Sequence, residues 1–121
     1  MKIKILIPVY NDFKSTSKLI EEINSVIIDR NEEFSVIIIN DNSTDKSEIL
    51  ISNINNIKNI KVINMRQNRG HARCIATGLK YIFEKDDFDF AIPMDGDGED
   101  RPEEIKIFLE QIKKSNDKPV V

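Results

Sequence analysis

The sequence predicts an α/β domain built on a parallel sheet with helices on both faces. Apolar runs of strand length alternate four times with segments of helical period. The connections between them are short, and the runs are apolar on both sides rather than alternating, as doubly covered parallel strands are.

The elements follow in order. A first strand spans residues 2–7, with Pro8 expected to end it because proline cannot donate to a ladder. A first helix lies within residues 15–30, with Leu19, Ile20, Ile23, Val26 and Ile27 on one face. Residues 34–39 form a second strand. The turn from Asn40 to Asp45 then offers N-caps for a second helix carrying Leu50, Ile54 and Ile57. A third strand is expected over residues 61–65, and the loop 66–70 leads to a third helix with Ala72, Ala76, Leu79, Ile82 and Phe83 inward. The fourth strand covers 88–94. A fourth helix starts near Pro102, with Glu103 and Glu104 at the positive end of its dipole and Ile105, Phe108, Leu109 and Ile112 inward. Pro119-Val120-Val121 resembles a fifth strand at its start.

Composition narrows the function classes. The chain has 121 residues, room for one domain, and at 40% hydrophobic and 32% charged it can bury a core. A net charge of −3 argues against a nucleic-acid partner. A single cysteine, Cys74, excludes an internal disulfide framework, fits a reduced compartment, and reads as helix packing rather than a nucleophile. No run approaches the roughly 20 apolar residues of a membrane span, and no signal-peptide layout precedes the first strand. The expected location is cytoplasmic.

In parallel sheets ligands bind beyond the carboxyl ends of the strands, so the four loops there share one rim. The fourth carries Asp95-Gly96-Asp97-Gly98-Glu99-Asp100. Alternate side chains of an extended segment share a face, so Asp95, Asp97 and Glu99 can converge, and the glycines permit a sharp turn. Three hard oxygen donors suit Mg²⁺ or Mn²⁺, with substrate phosphates completing the shell. The plainer reading is a solvated acidic loop, but crowded carboxylates repel unless a cation offsets them. An EF-hand starting at Asp95 fails, since Asp100 and Lys106 stand where Gly and Glu are required. A dehalogenase-type phosphatase fails too, because its aspartate pair would follow the first strand.

The other loops supply binding groups. Asp41, in Asn40-Asp41-Asn42-Ser43-Thr44-Asp45, can accept from a base N–H or a ribose hydroxyl, while Ser43, Thr44 and Asp45 fit turn chemistry that caps the second helix. In Pro8-Val9-Tyr10-Asn11-Asp12, Tyr10 can lay its ring beside a planar base or simply pack at the rim. Arg66, Arg69, His71 and Arg73 surround the start of the third helix and can face a diphosphate or solvent. His71 has no neighbouring serine or second histidine in sequence, so it is not read as a catalytic base. No P-loop or G-x-G-x-x-G occurs, and the first loop lacks the glycines of a sugar nucleotidylyltransferase.

Taken in order, these motifs resemble the nucleotide-sugar-binding half of a family 2 glycosyltransferase of GT-A fold, a Rossmann-like sheet. They run from Ile5-Leu6-Ile7-Pro8 through Ile39-Asn40-Asp41, Arg66-Gln67-Asn68-Arg69-Gly70-His71 and Met94-Asp95-Gly96-Asp97 to Pro102-Glu103. The last motif is similar to that of the polyprenyl-phosphate, dolichol-phosphate mannose synthase-like branch. The resemblance implies that an acceptor oxygen attacks the anomeric carbon of a nucleotide-diphosphate sugar, a UDP- or GDP-sugar, with a lipid phosphate as one acceptor class. It implies that Pro8, Tyr10, Asp12, Ile39 and Asp41 surround the nucleotide. Asp95, Gly96 and Asp97 match the aspartate pair holding nucleotide and metal, and Glu99 a further metal position. Asn40 stands where the family commonly has aspartate, and Glu99 where glutamine is frequent.

Family catalytic domains continue into an acceptor-binding half that supplies the base, so no residue here is assigned as catalytic. The chain is expected to be a donor-binding domain truncated at its C-terminus and inactive alone, placed in the full protein at the cytoplasmic face of a membrane. The alternative is a non-catalytic nucleotide or nucleotide-sugar binding module completed by a partner.

Overall fold

Runs of isoleucine, valine and leucine favour extended backbone, and a strand apolar on both sides must be covered on both. The computed structural model, which describes residues 2–27, 32–44, 54–85, 87–95 and 102–114, meets that requirement. The strands β1 (Lys2–Val9), β2 (Glu33–Asn40), β3 (Ile57–Asn64) and β4 (Phe90–Pro93) form one sheet in the order β3-β2-β1-β4. Every pairing is parallel, with Ile5 opposite Val36 on one side and Ile92 on the other. The helices are α1 (Phe13–Val26), α2 (His71–Lys85) and α3 (Glu103–Lys114).

Strand alternation divides the core in two. Ile3, Ile5, Ile7 and Val9 of β1 point with Phe34, Val36 and Ile38 of β2 toward Leu19, Ile20 and Ile23 of α1 and Ile105 and Leu109 of α3. Phe90 and Phe108 meet edge to face on this side, their centroids 5.8 Å apart. On the opposite face Leu6, Ile37 and Ile39 meet Cys74 and Ile82 of α2. The expected layering, helices on both faces of a parallel sheet, is the observed one. Among the described residues no helix is long and apolar enough to cross a membrane.

Several expectations shift. Pro8 does not end β1, which runs on to Val9. The Leu6 carbonyl accepts from the Met94 N–H, so Leu6, and with it Pro8 two residues on, faces β4. Pairing with β4 ends at Leu6, so the missing N–H falls beyond the last paired residue and β1 keeps its β2 ladder. Ile57, expected in a second helix, opens β3, which begins four residues before the expected start. Ile54 precedes it outside any element; Leu50 and the rest of that helix lie outside the described residues, as do residues 119–121.

On α2 the expected inward residues Leu79 and Ile82 do meet the core, but the rest of the face is turned. Cys74, Gly78 and Ile82 are buried, whereas Ala72 and Ala76 are exposed and Phe83 is 75% exposed. Phe83 instead meets Phe88 edge to face at 5.2 Å. The inward place goes to Gly78, where an added Cβ would come within 3.0 Å of Ile39 Cδ1. The helix approaches the sheet closely at a residue with no side chain.

Candidate functional site

The carboxyl ends of β1, β2 and β4 and the head of α2 converge on a cleft of about 210 Å³. It is lined by Pro8, Val9, Tyr10, Asp12, Thr16, Asp41, His71 and Asp95. Of the expected nucleotide-side residues the structure thus brings Pro8, Tyr10, Asp12, Asp41 and Asp95 together. Ile39 is elsewhere, wholly buried between the sheet and α2. Gly96, Asp97 and Glu99 lie outside the described residues.

Asp41 anchors the site. Its backbone N–H donates to the Val9 carbonyl at 2.8 Å, extending the β1–β2 ladder by one bond. Its carboxylate, although the residue is 5% exposed, is well satisfied: Oδ1 accepts from the Arg69 N–H at 2.8 Å and Oδ2 from the Gly70 N–H at 2.9 Å. These two N–H groups immediately precede α2, where donors lack helical partners and a negative charge is favoured. Gly70 takes a φ of +91°, a left-handed conformation that glycine adopts without steric cost. The Cys74 thiol bonds to the same carboxylate, so of its four lone pairs one remains for a ligand.

Asp41 also faces Cys74. Burial first, and then the hydrogen bond and charge of Asp41, push that thiol up to about 12. The cysteine is therefore an inert packing group, as expected.

Tyr10 is 47% exposed at the rim. Asn11 follows it at a φ of 62°, a left-handed turn that asparagine tolerates better than most residues. Asp12 occupies the N-cap of α1 but makes no side-chain capping bond. Its carbonyl takes the Thr16 hydroxyl at 2.9 Å, which holds Thr16 against the cleft floor.

Ser43 and Thr44 bond to the first loop, while the second helix they are expected to cap lies outside the described residues. Ser43 Oγ accepts the Asn11 N–H at 2.9 Å and donates to Asn40 Oδ1 at 2.6 Å, while Asn11 Nδ2 donates to Thr44 Oγ1 at 3.0 Å. Asn40 completes the set by donating from Nδ2 to Asn64 Oδ1 at 3.0 Å. An aspartate at position 40 would have no such donor, which gives the departure from the family pattern a local use.

The basic cluster separates. The side chains of Arg66, Arg69 and Arg73 are exposed and do not line the cleft, whereas His71 does. His71 Nδ1 stands 4.0 Å from Asp95 Oδ2. His71 is expected among the groups that can face a diphosphate, and its place on the cleft fits that; its neighbour Asp95 comes from a strand end 24 residues away in sequence. Thr16 is the lining residue the sequence reading does not name, although its position one turn after Asp12 carries the signal. Asp95 brings a half-exposed carboxylate to the cleft, a hard oxygen donor of the kind Mg²⁺ or Mn²⁺ takes. Among the described residues no three His, Cys, Asp or Glu side chains come together as a metal centre.

A parallel sheet in this strand order with a cleft at its carboxyl edge is a Rossmann-like α/β domain. Two solved structures of S. aureus TarS share the fold. The structure of residues 1–349 has a TM-score of 0.73 at 24% identity, and its complex with UDP has a TM-score of 0.74 at 24% identity. Each match covers 96% of this chain and 33% of that one. The chain belongs to glycosyl transferase family 2, whose model matches residues 4–121. A curated relative is the undecaprenyl-phosphate 4-deoxy-4-formamido-L-arabinose transferase of Proteus mirabilis (strain HI4320), 31% identical over 104 residues. That match covers 86% of this chain and 31% of the relative, so the chain spans about a third of that relative's length.

Proposed function

We propose that this chain is the donor-binding half of a glycosyltransferase that holds a nucleoside diphosphate sugar together with Mg²⁺ or Mn²⁺. Family membership supports the class, and the cleft supports the ligand. The observation that carries the reading is the convergence of Tyr10, Asp12, Asp41 and Asp95 on one rim. Tyr10 offers a flat apolar surface to a base, and the remaining lone pair of the Asp41 carboxylate can accept a base N–H. Asp12, its side chain not spent on capping, is available to ribose hydroxyls. His71, at the positive end of α2, belongs with the diphosphate.

Asp95, with Asp97 and Glu99, would hold the cation. When bound, that ion offsets the negative charge that develops on the departing diphosphate. The chain's own residues bind and orient the donor; the acceptor side and any base lie beyond those named here. The P. mirabilis relative is named for undecaprenyl phosphate, which supports a polyprenyl phosphate as acceptor class.

Calorimetric titration of UDP and GDP, each with and without Mn²⁺, tests the proposal. Binding is expected to require the metal and to weaken strongly in Asp97→Asn. Metal-independent binding of equal strength in that variant would contradict it.

A further inference from the structure

The backbone on both sides of Tyr10 is tied to one and the same segment. On one side the Val9 carbonyl accepts the Asp41 N–H at 2.8 Å. On the other, the Asn11 N–H donates to Ser43 Oγ at 2.9 Å, and the Asn11 amide reaches Thr44 Oγ1 at 3.0 Å. The Ser43 hydroxyl is not free to turn away, because its proton is given to Asn40 Oδ1 at 2.6 Å, and the same oxygen takes the Ser43 N–H at 3.1 Å. Asn40 is the last residue of β2, so the relay ends on the rigid sheet.

Asn11 holds a left-handed φ of 62°. A non-glycine residue keeps such a conformation when its surroundings over-determine it, and strain of this kind gathers where a side chain is aimed. Here it is the turn that swings the chain out of β1 into α1 directly after the half-exposed Tyr10 ring.

We infer that Ser43 is a positioning residue: through the Asn11 N–H it fixes the Tyr10 ring relative to the Asp41 carboxylate, making the two a preassembled clamp. The purpose of the clamp, a planar base held between ring and carboxylate, rests on the proposed function. The positioning itself does not, and it is read without ligand.

The chain has no tryptophan and two tyrosines, Tyr10 and Tyr81. Tyr81→Phe keeps a ring beneath the Lys61 ammonium and leaves Tyr10 as the sole tyrosine reporter. In that background, time-resolved fluorescence anisotropy reads the freedom of Tyr10. Ser43→Ala is expected to enlarge the fast component of the decay and to weaken UDP binding about tenfold, the worth of one net hydrogen bond. Ser43→Thr, which keeps the hydroxyl, is expected to restore both. A folded Ser43→Ala protein whose Tyr10 decay matches its parent overturns the inference.

Hydrogen exchange in the unsubstituted protein decides the matter if Ser43→Ala does not fold. The Asn11 amide should exchange at least about a hundredfold more slowly than an open loop amide; exchange at the open rate overturns the inference. Failure of UDP to bind the parent, with the anisotropy and exchange results as expected, would count against the proposed function alone.

Discussion

The Asp41 carboxylate grips Gly70 and the residue before it: Oδ2 accepts the Gly70 N–H at 2.9 Å and Oδ1 the Arg69 N–H at 2.8 Å. One buried side chain at the end of β2 thereby fixes where α2 begins, and α2 supplies His71 to the cleft. Binding group and structural anchor are the same residue.

Asp41→Asn should therefore be costly despite its matching shape. It removes the charge facing the head of α2 and turns an NH₂ toward one of two backbone donors. The expected loss is about 2 kcal/mol, from hydrogen bonds to a charged acceptor. Urea denaturation with an unchanged slope checks it; a loss under about 0.5 kcal/mol, within the range of an ordinary surface substitution, would contradict it.

Cys74 carries a pH signature. The folded thiol keeps its proton up to about 12, while its ordinary value is 9.0, because burial and then Asp41 disfavour the thiolate. Unfolding in that interval releases a proton, so the folded state binds more protons than the unfolded one and stability falls as pH rises. The contribution is complete below about 9 and is lost as pH climbs toward about 12. Urea melts at alkaline pH should show this decline in the parent and a flatter profile in Cys74→Ala. Thiol-directed alkylation of the folded protein near neutral pH should be very slow.

The close approach at Gly78 predicts a coupled pair. Gly78→Ala gains helix propensity of about 1 kcal/mol but drives a Cβ to 3.0 Å from Ile39 Cδ1 in a filled core, which costs about 1–3 kcal/mol. The single variant should be neutral to moderately destabilised. Ile39→Val removes the offending atom, so the double variant should be more stable than the sum of the singles, by about 1 kcal/mol. Additive effects would show that the contact is not limiting.

These relationships mark how far the sequence could be read. The two-sided runs of β1 and β2 and the single stripes of α1 and α3 were legible, because burial on each face leaves an apolar residue at each place. On α2 only Leu79 and Ile82 were legible as inward: the closest contact is Gly78, and the absence of a side chain leaves no apolar mark. Pro8 reads as a strand end unless one knows that β4 has already run out beside it. The convergence of Tyr10, Asp12, Asp41 and Asp95 on one cleft was legible because loops after parallel strands share a rim. The pairing of His71 with Asp95 and the bond from Ser43 to Asn11 join residues 24 and 32 positions apart, and no local pattern encodes them.

The most direct test of the account is backbone amide NMR of the protein titrated with UDP in the presence of Mg²⁺. The account predicts that the largest shifts fall on Tyr10, Asp12, Asp41, His71 and Asp95, the residues at the carboxyl ends of β1, β2 and β4 and the head of α2. Saturable shifts confined to the opposite edge of the sheet, with these amides unmoved, would contradict it.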